Sequence, residues 1–181
     1  AVEAAAADGV DFSTYDNDNN QMCDPICIAF AGYAAQGGAG SGHFSEFTWS
    51  LCGYGIPTIK NGVEVNCFYF IAELRGASGS DPESISAATH EFGHALWLYD
   101  TYGTAEPMNC WDQMAMGAWA GGWGDAPTHI AAFGKALLDW YTPTTLSSTQ
   151  SGLTLLQAST NPGCYKIETA SPGEYFLLEN R

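Results

Sequence analysis

The alternation of apolar and polar positions divides the chain into a front half of strands and loops, one long helix, and a back half of shorter elements. Ile26 to Tyr33 is a nearly continuous apolar run suited to a buried strand, and Val63 to Leu74 alternates in the manner of an edge strand. GGAGSG, Gly37 to Gly42, reads as a flexible loop. Asp81 is a good N-cap, Pro82 suits a first helical position and Glu83 favours the positive helix end, which predicts a helix from about Pro82 to about Leu98. Ile85, Ala88, Phe92 and Ala95 or Leu96 recur at helical steps and form its expected core stripe. Thr128 caps a second predicted helix reaching about Tyr141, with Ile130, Phe133, Leu137 and Trp140 or Tyr141 facing inward. The chain turns at Pro143, and Leu153 to Leu156, Cys164 to Ile167 and Tyr175 to Leu178 read as short strands. This mixture predicts an α/β (α+β) architecture. With 181 residues and 46% hydrophobic composition, residues 1–181 can bury one substantial core as a single domain.

The first predicted helix carries HEFGH. Residues four apart on a helix lie on one face, about one turn apart, so His90 and His94 can each aim a ring nitrogen at one metal ion roughly 2.0 to 2.1 Å away. Glu91, rotated about 100° from His90, stands beside such an ion, where a general base acts on metal-bound water. An ordinary His pair on a helix is the bland alternative, and it lacks the mechanical rationale of the full HExxH arrangement. A closed structural zinc site is another, and such sites usually recruit Cys. A third ligand is needed. Asp100, six residues after His94, is the first candidate, with Glu106, Asp112, Asp125 and His129 as alternatives.

HExxH followed by a carboxylate six residues on resembles the pattern of the metzincin zinc endopeptidases. Other segments are similar to one branch of them, the secreted immune inhibitor A-type metallopeptidases. NCWDQMAMGAWAGGWGDAPTHIAAFGKALLDWYTP resembles that branch's Met-turn region and following helix, VDFSTYDNDNNQMCDPICIAFAGYAAQGGAG its acidic loop and next strand, and PGEYFLLENR its last shared strand. The similarity covers nearly the whole chain. It implies a metzincin-like fold: a mixed twisted sheet, an active-site helix and a backing helix, with a cleft between a larger N-terminal subdomain (about 1–100) and a smaller C-terminal one (about 101–181). It also implies that Met114 is the Met-turn residue, an apolar floor beneath the metal ligands, and that the chain continues beyond Arg181 in relatives. The Val63 to Leu74 strand would border the cleft and accept an extended peptide through main-chain hydrogen bonds. One position departs from the pattern. Metzincins usually carry Gly three residues after the second His, and here Trp97 stands there. A non-Gly residue in the left-handed conformation costs about 1 to 2 kcal/mol, so either that cost is accepted or the turn is built differently.

Charge narrows the partners. The formal net charge of -15, with 5 Lys and Arg against 20 Asp and Glu, argues against nucleic acid and anionic membranes. No apolar run approaches the ~18 residues that span a bilayer. The Ala-rich opening lacks the basic flank of a signal peptide, so Ala1 reads as a processed start. Asp16, Asp18, Asn20 and Asp24 occupy positions 1, 3, 5 and 9 of a loop, with the Met22 carbonyl at position 7, and oxygens so spaced can wrap a calcium ion. The sixth position is not Gly and the twelfth is not Glu, and a solvated Asx-rich turn competes with this reading. Six Cys, at 23, 27, 52, 67, 110 and 164, are even in number and lack CxxC spacing, which predicts disulfides in an oxidising compartment, with Cys52 and Cys67 across a hairpin as the first candidate pair. Trp111, Trp119 and Trp123 are expected to pack the Met-turn region rather than stack on carbohydrate.

The expected function is that of an extracellular zinc endopeptidase, acting as a monomer on proteins or peptides. Tyr102, His129 and Tyr141 are candidate oxyanion donors. A noncatalytic metal-binding adhesion or recognition module is the rival, favoured by Trp97 and opposed by Glu91. A zinc hydrolase of a nonpeptide substrate would share the site chemistry.

Overall fold

Asn61 and Gly62 both take positive φ, 52° and 88°, as a type I′ hairpin turn requires. In this computed structural model, which describes residues 1–35, 50–103, 108–161 and 163–181, they join β2 (Leu51–Lys60) to β3 (Val63–Leu74). The two strands are antiparallel, with Lys60 opposite Val63 and Tyr54 opposite Cys67. β1 (Ile26–Tyr33) lies parallel to β3 on its other side, Ile26 opposite Phe68. The sheet order is β1-β3-β2, so β3 is the central strand and not the edge its alternation suggested. Alternation here reports one covered face: Val63 and Val65 close over Phe12 and Cys23, and Val2, Ala5 and Ala6 of α1 (Val2–Ala7) extend that core. β1 has the predicted bounds but not the predicted burial, its residues alternating between half-buried and exposed. The predicted loop Gly37 to Gly42 lies outside the described residues.

The helix that carries the two His, α2 (Ile85–Ala95), starts later than the sequence suggests. Pro82 bridges Leu74, Arg75 N–H donates to the Asp81 carbonyl and Glu83 N–H to the Glu73 carbonyl. The backbone of 81–83 is thus committed to the sheet and cannot wind, which leaves Ser84 at the N-cap position. The buried stripe also differs. Ser86, Ala87, Glu91, Gly93 and Ala95 are buried, whereas Ile85 and Phe92 are 61% and 42% exposed. Small residues line the inner face because the helix lies close to its neighbours: the Ser86 hydroxyl donates to the Ala118 carbonyl, and Gly124 abuts Ser84 and Ser86.

The chain divides into two compact units, Ala1–Tyr99 with Ala118–Pro127, and Asp100–Gly117 with Thr128–Arg181. In the second, β4 (Thr144–Leu146), β5 (Tyr165–Glu168) and β6 (Tyr175–Leu178) form another sheet in that order, first parallel and then antiparallel. The strands are therefore shared between two small sheets rather than one, and the predicted strand Leu153 to Leu156 does not form. α3 (Ala132–Leu137) is much shorter than the predicted helix. Thr128 N–H donates to the Gly117 carbonyl, and Asp112 holds the Ala131 N–H, so winding begins only after Ala131. Asp139, at φ 55°, ends it, with Trp140 N–H donating to Lys135 and Asp139 N–H to Ala136, a Schellman closure. Its buried residues are Ala132, Gly134 and Lys135, while Phe133, Leu137 and Trp140 stay exposed. The Lys135 ammonium pairs with buried Glu179, whose other oxygen accepts from Arg181 Nε at 2.8 Å.

Candidate metal centre

Two helical turns and one tight stop position the candidate ligands. His90 and His94 project from α2 one turn apart, their rings edge to face with centroids 4.9 Å apart. The helix ends in a Schellman closure: Leu98 N–H donates to the Gly93 carbonyl at 3.0 Å and Trp97 N–H to the His94 carbonyl at 2.9 Å. Trp97 occupies the left-handed position at φ 68°, so the strain that Gly would relieve is accepted. Its ring, 71% exposed, lies 5.6 Å from that of Tyr54 on β2. The same closure brings the Leu98 carbonyl 2.9 Å from His94 Nδ1. A carbonyl only accepts, so Nδ1 is the donor in this contact, and Nε2 is the ring nitrogen that would ligate a metal.

Ligand atoms of His90, His94 and Asp100 all lie within 4.8 Å of one another, and this is the grouping of metal-ligating side chains among the described residues. Two imidazoles and a carboxylate suit a zinc ion with one position left open. Glu91, between the two His in sequence, is buried at 9% exposure. Of the alternative third ligands, Asp125 is paired with Arg75 at 2.7 Å, Asp112 and His129 are not in the grouping, and Glu106 lies outside the described residues.

Asp112 does something the sequence reading missed. Only 2% exposed, it accepts from Thr101 Oγ1 at 2.7 Å through Oδ2, and from the N–H groups of Ala131 at 2.9 Å and Met114 at 3.3 Å through Oδ1. Thr101 N–H also donates to the Met114 carbonyl at 2.8 Å. Met114 itself is 1% exposed. The tight return after it needs Gly117, where a Cβ would come within 2.1 Å of Thr128 Oγ1 and 2.5 Å of the Asp112 carbonyl. The available signal was the Asp two residues before Met114, since Asp side chains commonly cap the N–H two residues on.

The acidic loop is a run of side-chain-capped turns. Asp16 accepts from Asn20 and Gln21 N–H at 3.0 and 3.1 Å, Asp18 from Asn20 N–H at 3.2 Å, Asn20 Oδ1 from Met22 N–H at 2.7 Å, and Asp24 from the Asn17 amide. Among the described residues its carboxylates do not converge into a group of ligand atoms as His90, His94 and Asp100 do. The six cysteines are free thiols in this structure; burial, followed by the neighbouring Cys67, pushes the Cys52 thiol up to about 11. Trp111 and Trp123, expected to be packed, are each 61% exposed. The Tyr141 hydroxyl, a candidate oxyanion donor, is hydrogen-bonded to the Ala132 carbonyl at 3.3 Å. No described helix is long and apolar enough to cross a membrane.

Residues 7–143 match the model of the immune inhibitor A peptidase M6 catalytic domain. The pre-pro-metalloprotease PrtV of Vibrio cholerae serotype O1 is 34% identical over 89 residues, covering 46% of this chain and 9% of that protein. Immune inhibitor A of Bacillus thuringiensis subsp. alesti is 27% identical over 143 residues, covering 67% of this chain and 21% of its own length. The chain thus spans about a tenth to a fifth of these relatives.

Proposed function

The chain belongs to the immune inhibitor A peptidase M6 family, and on that premise we propose that it is a secreted zinc-dependent endopeptidase that hydrolyses peptide bonds of proteins. The observation that carries this reading is the convergence of His90, His94 and Asp100 within 4.8 Å, with Glu91 on the same helix. These three side chains would hold the ion, His94 through Nε2, because its Nδ1–H is engaged by the Leu98 carbonyl. When bound, zinc supplies a Lewis acid that polarises the scissile carbonyl and lowers the pKa of its water toward ~7. Glu91 is the general base. It takes a proton from the attacking water and delivers it to the leaving amine, and its low exposure shields that transfer from bulk solvent. Met114 is the Met-turn residue, and its near-complete burial supports that assignment.

Calcium in the loop Asp16, Asp18, Asn20, Met22 and Asp24 is part of the same proposal, with a structural role. It is supported by the unspent lone pairs on carboxylates that already cap the loop's turns. Cys52 and Cys67, on the paired strands β2 and β3 with interacting thiols, are the pair that an oxidising compartment would link. The test is proteolysis of an unstructured protein such as casein by zinc-loaded and chelated chain. Cleavage that stops on chelation and returns with one equivalent of zinc is expected. Equal cleavage in both states refutes the metal-dependent reading.

A further inference from the structure

The third candidate ligand is followed at once by a residue held from two directions. Thr101 N–H donates to the Met114 carbonyl at 2.8 Å, and Thr101 Oγ1 donates to Asp112 Oδ2 at 2.7 Å. Asp112 is 2% exposed, and its other oxygen accepts from Met114 N–H at 3.3 Å and Ala131 N–H at 2.9 Å. A buried carboxylate with every contact going to a neutral donor is an expensive feature unless those donors need fixing relative to one another. Here they belong to three separate stretches: the residue after Asp100, the turn at Met114 and the entry to α3. Side-chain and main-chain bonds together leave Thr101 little freedom to rotate or shift, and Asp100 is one peptide bond away.

We infer that Thr101 and Asp112 are positioning residues for the metal site, a clamp that ties the backbone of the Asp100 ligand to the turn at Met114. The inference rests on the proposed role of Asp100 as a zinc ligand. A short carboxylate ligand has only two side-chain torsions with which to correct a misplaced backbone, so its affinity for an ion follows the placement of its Cα closely. Outer groups that orient metal ligands typically carry a 10- to 100-fold effect on affinity.

The experiment measures zinc affinity of the 181-residue chain by competition with a chromophoric chelator, with folding checked by circular dichroism. The variants are Thr101→Val, Thr101→Ser and Asp100→Ala. Thr101→Val keeps the shape and the N–H bond but removes the hydroxyl, and it is expected to weaken zinc binding about 10- to 100-fold while remaining folded. Thr101→Ser restores the hydroxyl and is expected to bind within about threefold of the parent, a recovery that nonspecific loosening would not give. Parent-like affinity in Thr101→Val, alongside a large loss in Asp100→Ala, overturns the clamp and leaves the ligand assignment standing. Parent-like affinity in Asp100→Ala removes the ligand assignment and the clamp with it. Should Thr101→Val fail to fold, Thr101→Ala is read in its place, with the same loss of the hydroxyl and the same weakening expected; parent-like affinity there overturns the clamp.

Discussion

Replacing Gly124 with Ala tests how closely the helix bearing the two His is packed at its start. Gly124 sits at φ 84°, and a Cβ there would lie 2.4 Å from Ser86 Cβ and 2.8 Å from both Ser84 Oγ and Ser86 Oγ. Ser86 cannot yield easily, being 1% exposed with its hydroxyl on the Ala118 carbonyl. Gly122 is a matched control, because it also has positive φ, 76°, yet a Cβ there meets nothing within 4 Å. The left-handed penalty of about 1 to 2 kcal/mol applies to both, partly offset by about 0.4 to 1 kcal/mol from a less flexible unfolded chain. Gly122→Ala should therefore cost about 0.5 to 1 kcal/mol. Overpacking adds about 1 to 3 kcal/mol at Gly124 alone, for a total of about 2 to 4 kcal/mol. For a chain of this size that corresponds to a fall in Tm of roughly 4 to 16 °C for Gly124→Ala and at most about 4 °C for Gly122→Ala. Urea titration and thermal melts of both variants against the parent supply the comparison. Equal losses would show that the steric argument at Ser84 and Ser86 is wrong.

Three further outcomes follow from particular groups. Burial alone would raise the Glu179 carboxyl, but hydrogen bonds from Lys135 and Arg181 overcome it and hold it below the usual range; its contribution is therefore complete above the ordinary carboxylate pKa near ~4.3 and is lost as pH falls through the depressed folded value. Melts between pH 6 and 3 should show Glu179→Gln about 3 kcal/mol less stable at the top of that range, with the gap closing toward the bottom, and a constant gap would contradict the linkage. In the reduced protein at pH 8, iodoacetamide should modify exposed Cys27 and Cys110 well before Cys52, whose thiol at about 11 leaves roughly one part in a thousand as thiolate; peptide mapping that finds Cys52 labelled as fast as Cys110 counts against it. Trp97→Ala retains the left-handed strain but loses the Tyr54 contact and should cost about 1 kcal/mol, with Trp97→Gly less destabilised because Gly is at ease at φ 68°. An Ala variant more stable than the Gly variant in urea would overturn that account of the turn.

What the sequence made legible was local. His90, His94 and Asp100 converge along a single helix and its exit, and spacing along one helix translates directly into position. The hairpin spanning Cys52 and Cys67 was likewise legible, and its turn at Asn61 and Gly62 rests on two residues at ease with positive φ. What escaped depended on partners distant in sequence. Asp81 to Glu83 look like a helix start, but their backbone groups are taken by Glu73 to Arg75. Thr128 looks like a cap, yet its N–H goes to Gly117 and the helix waits for Ala132. β3 alternates as an edge strand would, and only pairing with both β1 and β2 identifies it as central. Asp112 is one of several acidic candidates for a ligand on sequence, and only its hydrogen bonds to Thr101, Met114 and Ala131 reveal where its carboxylate is engaged.

The central claim is that Glu91 moves the proton while the two His and Asp100 hold the ion. The measurement that bears on it most directly is casein turnover by zinc-loaded Glu91→Gln, with zinc content determined on the same sample. The account predicts one zinc per chain and turnover lower than the parent's by about 10²- to 10⁴-fold. A zinc-loaded, folded variant that cleaves as fast as the parent would contradict it.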